Sequence, residues 1–367
     1  MTYLNTIYTR LIATCIVLFL LVASCDNTTP LSNTDVDGEW LLIKHEIFDG
    51  GPGKDGIPSI DQPNFLPANE IDFIPNNRLV IGVNINGEIK VYPHQVLDWH
   101  EIVNDRTGDI SFSLLYCPLT GTGMAWNRKI DGNVTEFGVS GLLYRNNLIP
   151  YDRNTDSHWS QMQLRAVNGP LSSRNIETFQ IIETNWGIWK QLYPDSKVLT
   201  TNTGHDRDYP GYVYTPGYLT NHNALLFPLS NVDDRLENKT RVHGVIGGGE
   251  AINEMKVTAY VIDEFGEGVR LIEDSIASDQ YLVVGSTDHN FATAFYRPED
   301  EDLEFEAVQD QLPVIMKDSE GNRWDLFGFA VEGPKKGQRL SAARSYTGYW
   351  FAWVDFFFLN IDIYQDE

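Results

Sequence analysis

The sequence predicts a β-rich α+β fold of two homologous half-domains, with short helices and antiparallel or mixed sheets. Two observations predict it. Short apolar runs of alternating polarity are separated by Gly, Asn and Pro turns, which is typical of hairpin-rich sheets. In addition, four short segments of the first half recur in the same order in the second half, which indicates an internal duplication.

The recurring segments lie 162 to 169 residues apart. In the first of them, Asn86-Gly87 separates two apolar runs and favours a tight hairpin turn, because both residues accept positive φ. A phosphate loop is the alternative for its glycine-rich counterpart, but the Lys-Ser or Lys-Thr pair of such loops is missing. The pairs are Gly82–Glu88 with Gly244–Glu250, Leu114–Arg128 with Leu282–Arg297, Asp152–Trp159 with Asp318–Trp324, and Val167–Pro170 with Val331–Pro334.

The polarity pattern along the chain predicts individual strands and two short helices. The helices are expected at His94–Val103, directly after Pro93, and at Glu183–Leu192. The strands are expected at Leu79–Val83, Glu88–Tyr92, Ser111–Tyr116, Val134–Val139, Val242–Ile246, Tyr281–Gly285, Ala292–Tyr296 and Phe327–Val331.

These elements divide the chain into six segments. An aromatic Gly/Pro-rich connector separates the two repeats, and a dense aromatic run near the C-terminus is expected to seal the core between them. The segments are a lipoprotein signal peptide (1–24), a lipidated tether with an irregular segment (25–69), the first repeat (70–201), the connector (202–234), the second repeat (235–348) and the aromatic C-terminal segment (349–367).

The N-terminus resembles a bacterial lipoprotein signal. The apolar run from Leu11 to Ala23 is shorter than the roughly 20 residues of a membrane-spanning helix. It is followed by Ser24-Cys25, as in a signal segment that is cleaved. Cleavage before Cys25 and acylation of its thiol would anchor the protein to a lipid bilayer. An ordinary secretory signal is the alternative. We therefore expect a lipid-anchored protein of the bacterial cell envelope, at the outer rather than the inner membrane.

The charge balance excludes one class of partner. The 367 residues include 27 Lys+Arg against 51 Asp+Glu, a formal net charge of −24. A nucleic-acid-binding protein needs a basic face that displaces phosphate counterions. The sequence therefore predicts no nucleic-acid partner, whereas a small ligand or an envelope protein partner stays open.

Candidate chemistry centres on Cys117, the single thiol that the predicted processing would leave unmodified. As a nucleophile it would need a base, for which His100 is a candidate, with Glu101 or Asp105 orienting the imidazole. Alternatively, Cys117 and His100 would ligate a transition metal, copper or zinc, since both accept thiolate and imidazole. A buried structural thiol is the third interpretation.

Comparison of the two repeats locates the predicted site. Residues present in both copies, such as Asp152 and Asp318, are most simply scaffold, whereas residues present in one copy are site candidates. Cys117 aligns with Gly285, and neither Trp99–Asp105 nor Ser140–Tyr144 has a counterpart in the second half. The sequence therefore predicts a site in the first half, whose candidate residues are Cys117 and His100, with Asp105, Ser140, Tyr144, Asp152 and Trp159 as binding residues.

The same segments resemble the family named domain of unknown function thirty-one seventy-nine, over roughly residues 70–362. Many members of that family have Cys-Pro-Leu-Cys where this chain has Cys117-Pro118-Leu119-Thr120, and a lone thiol cannot close such a disulfide. The resemblance implies no established activity. The motifs that carry it are Trp99–Asp105, Tyr116–Thr122, Ser140–Tyr144, Tyr151–Arg153, Ser157 with Trp159–Gln161, and Tyr349–Trp353.

From the sequence we expect a membrane-anchored envelope lipoprotein that binds a small ligand or a metal ion in its first repeat. A thiol-dependent enzyme, with Cys117 as nucleophile and His100 as base, is the first alternative. A structural or partner-interaction lipoprotein is the second.

Overall fold

The fold is known from a computed structural model that describes residues 39–211, 213–214, 217–299 and 302–366. The predicted signal peptide 1–24 and the predicted acylation site Cys25 lie outside these residues. Within them, no helix is both long enough and apolar enough to cross a membrane.

The described chain forms a β-rich α+β fold with three short helices and antiparallel or mixed sheets, as the sequence predicts. The helices are α1 (His94–His100), α2 (Trp186–Leu192) and α3 (Trp350–Phe357). Short 3-10 turns lie at Lys44–Glu46, Ala68–Glu70 and Ile262–Glu264.

Strands β1 to β16 belong to the first part of the chain. They are β1 (Ile47–Asp49), β2 (Phe65–Pro67), β3 (Leu79–Ile85), β4 (Glu88–Pro93), β5 (Ile102–Thr107), β6 (Ile110–Cys117), β7 (Thr122–Asn127), β8 (Lys129–Ile130), β9 (Asn133–Val134), β10 (Phe137–Tyr144), β11 (Asn147–Asp152), β12 (His158–Ser160), β13 (Arg165–Asn168), β14 (Thr178–Phe179), β15 (Ile181–Asn185) and β16 (Lys197–Leu199).

Strands β17 to β27 follow the connector. They are β17 (Arg241–Gly248), β18 (Met255–Val261), β19 (Arg270–Ile276), β20 (Asp279–Ser286), β21 (Phe291–Tyr296), β22 (Phe305–Ala307), β23 (Val314–Asp318), β24 (Arg323–Asp325), β25 (Ala330–Glu332), β26 (Ser345–Tyr349) and β27 (Ile361–Ile363).

Two sheets, one from each part of the chain, have the same strand order. In the first, β15-β3-β4-β16 pair in sequence, and β16 returns parallel to β4 after α2. In the second, β26-β17-β18-β27 pair in the same way, and β27 returns parallel to β18 after α3. Most of the remaining strands also correspond, because β7-β6-β5 match β21-β20-β19 and β10 to β13 match β22 to β25. The strands of the first part without a counterpart are β1, β2, β8, β9 and β14.

The hydrophobic core is shared between the two parts of the chain. The described core has four clusters, two of which join the two parts. One packs Trp353 of α3 with Trp126 and Trp159 of the first part. A second packs Trp186 and Trp189 of α2 with strands of the second part. The helix of each part thus packs partly against residues of the other part of the chain.

Two predicted helices begin or end at other residues than expected. The first ends at His100, because Glu101 takes a φ of 57° and the β-branched pair Ile102-Val103 then starts β5. The second begins at Trp186, since residues 183–185 pair with β3. The Asn86-Gly87 hairpin is confirmed, with φ values of 54° and 78°.

Candidate functional site

Cys117 is the last residue of β6 and lies inside the core. Its side chain is 1% exposed, and its Sγ donates to the backbone oxygen of Asn146 at 3.7 Å. Burial and then the neighbouring Glu101 carboxyl raise the pKa of the thiol to about 11. The thiol is therefore neutral at physiological pH, which opposes a role as nucleophile or metal-ligating thiolate.

The strand register corrects the alignment of Cys117 with Gly285. Cys117 forms the last pair of its hairpin with Thr122, and Ser286 forms the corresponding pair with Phe291. Gly285 instead occupies the position of Tyr116. The two hairpin turns, residues 118–121 and 287–290, have the same length, so the extra residue of the sequence match does not lie in the turn.

His100 makes its hydrogen bonds away from the thiol. Its Nδ1 lies 2.7 Å from the Pro58 oxygen, and its Nε2 lies 2.8 Å from the Tyr209 hydroxyl. Burial lowers the pKa of the imidazole to about 4. Both ring nitrogens are thus occupied, and the predicted Cys117–His100 pair is not among the hydrogen bonds of the described residues.

No group of three or more His, Cys, Asp or Glu side chains in the described parts of the chain could hold a metal ion. The predicted copper or zinc site therefore gains no support from the arrangement of Cys117 and His100.

The remaining predicted residues are distributed over the first part. Asp105 receives hydrogen bonds from Lys90 Nζ at 2.9 Å and from the Tyr92 hydroxyl at 2.6 Å, which makes it part of a buried ion pair. Tyr144 packs edge-on against Phe356 at 5.4 Å between ring centroids. Burial raises the pKa of its phenol, which stays protonated.

Ser140 shapes a bulge in β10. Its hydroxyl donates to the Ile149 oxygen at 2.5 Å and accepts from the Leu142 N–H at 3.0 Å. The next residue, Gly141, has a φ of 80°, and the backbone of Gly53 lies against it so closely that no Cβ would fit. The bulge turns residues 141–143 toward a cavity, so Ser140 positions its wall.

Asp152 and Trp159 form an internal hydrogen bond that recurs in the second part. Trp159 Nε1 donates to Asp152 Oδ2 at 3.2 Å, and Trp324 Nε1 donates to Asp318 Oδ2 at 2.9 Å. All four side chains are buried. The contact fits the scaffold interpretation of shared residues better than the binding role expected for Asp152 and Trp159.

The sequence analysis considered Glu101 as a residue that orients the His100 imidazole. The structure gives it a different role, at the junction of α1 and β5. Its N–H donates to the Leu97 oxygen and closes α1, while its own backbone oxygen accepts from the Tyr116 N–H. These two bonds, each 2.7 Å, hold the residue at its positive φ between helix and strand. A non-glycine residue in such a conformation is strained, and strain of this kind is concentrated at functional positions.

The Glu101 carboxyl has no partner. The side chain is 6% exposed, and in the described structure none of the hydrogen bonds or ion pairs involves its oxygens. Burial and then the Asp98 carboxylate raise its pKa to about 8. Glu101 is therefore a largely protonated acid at pH 7, next to the Cys117 thiol.

Glu101 lines a cavity of about 420 Å³. Within the described lining, Glu101 is the one acidic or basic residue. The other lining residues are glycine, proline, aliphatic or aromatic: Gly50, Pro52, Ile57, Leu119, Val139, Gly141, Leu142, Leu143, Leu148, Ile149, Tyr214, Leu225, Leu226 and Phe227. Its size and apolar character are typical of small-molecule sites.

A polar cluster that includes Asp98, the charged neighbour of Glu101, joins the two parts of the chain. Burial raises the pKa of Asp98 to about 6. In the same cluster, Glu183 forms an ion pair with Arg241, and its carboxylate lies 2.9 Å from His94 Nε2. Although burial acts in the opposite direction, Arg241 and His94 lower the pKa of Glu183 to about 2.

A periodicity signal could have identified Glu101. In a helix with 3.6 residues per turn, positions 94, 98 and 101 lie on one face, and position 100 lies on another. The His94 ring packs on Tyr116 with 4.2 Å between centroids, so this face is directed at β6. The spacing thus favours Glu101, rather than His100, as the neighbour of Cys117.

Comparison with known proteins gives a family but no activity. The family model described as Protein of unknown function (DUF3179) matches residues 54–358. None of the curated proteins and none of the solved structures matches the chain. Because the match covers most of the chain, including Glu101, Cys117 and Tyr349, this protein belongs to the DUF3179 family.

Proposed function

We propose that the first half of this protein binds a small, largely apolar ligand, with Glu101 as the polar anchor. One observation carries the proposal: a buried carboxyl without a partner stands in the wall of an apolar cavity of about 420 Å³. Three other buried acids, Asp105, Asp152 and Glu183, receive hydrogen bonds or ion pairs from the protein.

The energetics support a ligand at this position. Leaving a buried polar group unpaired costs about 1–3 kcal/mol, so such groups are rare in native proteins. A positive φ at Glu101 adds a second cost. A ligand that hydrogen-bonds the carboxyl would recover part of this free energy on binding.

The thiol-enzyme alternative is less well supported. Its nucleophile is neutral and 1% exposed, and its expected base, His100, bonds to Pro58 and Tyr209. A neutral thiol beside a neutral acid suits the wall of a binding site better than nucleophilic catalysis.

We also infer that the two halves arose by duplication and that the first half kept the site. The equal strand orders and the repeated Asp–Trp hydrogen bond support this inference. In the second half, the Phe265 ring lies against Gly285, where any Cβ would approach it to 2.5 Å. The Phe265 ring therefore fills the space beside this strand in the second half.

Envelope location through acylated Cys25 stays a separate proposal, supported by the N-terminal sequence pattern. Mass spectrometry of the mature N-terminal peptide tests it. We expect a peptide that begins at Cys25 and carries acyl chains, and an unmodified Cys25 would contradict the proposal.

Fragment screening of the full-length protein by ligand-observed NMR tests ligand binding. We expect fragments that bind the wild type and lose binding in Leu142→Trp, whose half-buried position at the cavity lets the indole fill the space. Val139→Phe is a second filling variant. Fragments that bind both variants as well as the wild type, or a screen without binders, would overturn the proposal.

A further inference from the structure

We infer that the ligand of this cavity is an organic cation: an apolar body that carries one protonated amine, bound with the amine at Glu101. The inference rests on the proposed function and names the chemical class of its ligand. It stands on the position of the unpaired Glu101 side chain and on the lining of the cavity.

Within the described structure, the Glu101 carboxyl has no cation at hydrogen-bond distance. Asp98 is the charged neighbour that affects its ionisation, and it disfavours the ionised form. Asp98 itself is buried, and His94 and Arg78 are near enough to favour its ionised form. Glu101 is therefore an unpaired carboxyl beside a second acid, and a bound cation would stabilise its ionised form.

The rest of the lining fits the apolar body of such a ligand. Aliphatic side chains from β10, β11 and the connector form most of the wall. Tyr214 and Phe227 add aromatic faces, and an ammonium group over an aromatic face gains further electrostatic attraction. The cavity thus joins an apolar space to an acidic end.

Long-range electrostatics select the same sign of charge. With a formal net charge of −24, the protein attracts cations and repels anions such as fatty carboxylates. A neutral ligand with one hydrogen-bonding group is the competing possibility, because a protonated Glu101 could donate to a carbonyl or hydroxyl oxygen. The experiment separates these cases.

The probes are n-hexylamine, n-hexanol and hexanoate, three six-carbon compounds of similar size that are cationic, neutral and anionic at pH 7. Their dissociation constants for the full-length protein are measured by NMR titration. We expect n-hexylamine to bind at least about tenfold more tightly than n-hexanol, the scale of one charge-assisted hydrogen bond. We expect hexanoate to bind more weakly than either.

Two variants assign the preference to the carboxyl. Glu101→Gln keeps the size of the side chain, and we expect it to abolish the amine preference while n-hexanol binding is unchanged. Glu70→Gln, an exposed control in the same part of the chain, removes the same formal charge and should leave all three constants unchanged.

The outcomes separate this inference from the proposed function. If n-hexanol binds the wild type as tightly as n-hexylamine, or if Glu101→Gln keeps the preference, the cation inference is overturned while the binding site stands. If Leu142→Trp changes none of the three constants, the compounds do not use this cavity, and both the site and the cation inference are overturned.

Discussion

The indole of Trp353 lies directly on the Cα of Gly244. A Cβ at position 244 would approach the ring to 2.3 Å, and a Cβ at Gly82 would approach the Trp189 ring to 1.7 Å. In both sheets, the helix after the edge strand packs a tryptophan against a glycine of the neighbouring strand, where a side chain would not fit. In each part of the chain, this contact sets the distance between the helix and the sheet.

We predict that Gly82→Ala and Gly244→Ala each lower the free energy of unfolding by about 1–3 kcal/mol, because the added methyl overpacks the core. Urea denaturation measures the change. The cost of Gly82→Ala should fall in a Trp189→Phe background and stay the same in a Trp353→Phe background, since the smaller ring relieves only its own contact. Equal costs in both backgrounds would contradict the assignment.

The stability of the protein should fall between pH 6.5 and pH 8. Burial raises the pKa of Glu101 from an ordinary value of 4.5 to about 8, so the folded state binds its proton more tightly than the unfolded state. Its stabilising effect is complete below pH 4.5 and is lost as the pH rises through 8. Over this window the loss is on the order of 1–2 kcal/mol.

Other shifted groups titrate mainly outside this window. Asp98, Asp325 and Asp355, each with a pKa of about 6, act mainly at lower pH. His100 and His243, each lowered to about 4, complete their effect by about pH 6.5. Lys239, lowered to about 8, favours folding only as the pH rises above that value. Urea denaturation at several pH values should therefore give a free energy of unfolding that falls with pH in the wild type and in Glu70→Gln, and that falls much less in Glu101→Gln. If the free energy of unfolding falls as steeply with pH in Glu101→Gln as in the wild type, another group causes the fall and the assignment to Glu101 is wrong.

The two Asp–Trp hydrogen bonds should contribute to stability and not to binding. Asp152→Asn and Asp318→Asn each remove the charge that accepts the indole N–H, and we expect a loss of about 1–3 kcal/mol for each. Thermal denaturation measures the loss, and titration with n-hexylamine provides the control. A selective loss of amine binding in Asp152→Asn, with stability unchanged, would restore the binding role expected for this residue.

The Cys117 thiol should resist alkylation in the native protein. With 1% exposure and a pKa of about 11, the thiolate is both inaccessible and rare at pH 8. Iodoacetamide labelling, followed by mass spectrometry of the peptide that contains Cys117, should show modification only in denaturant. Rapid labelling of the folded protein would support the thiol-enzyme alternative instead.

Local signals predicted the regular parts of this fold well. The Asn86-Gly87 turn follows from the φ values these residues accept, and the alternating runs on either side became β3 and β4. The end of α1 was not predictable in the same way, because the positive φ of Glu101 is held by hydrogen bonds to Leu97 and Tyr116.

The location of the candidate site was predictable in part. The Cys117 segment and the Ser140 bulge do lie beside the cavity, in the first half. The identity of the ionisable neighbour was missed, since adjacent positions of the predicted helix, such as 100 and 101, point to different sides of it. Whether a buried acid has a partner depends on strands and loops far away in the chain, which short motifs do not encode.

The central claim, that Glu101 is a buried and unpaired acid that a cationic ligand satisfies, can be measured at the side chain itself. With glutamate labelled by carbon-13 at the carboxyl, and with the resonance assigned through Glu101→Gln, NMR follows its titration with and without n-hexylamine. The account predicts a pKa of about 8 in the free protein and a clearly lower value with the amine bound. A carboxyl that titrates near 4.5 in the free protein, or one whose pKa does not respond to the amine, would contradict it.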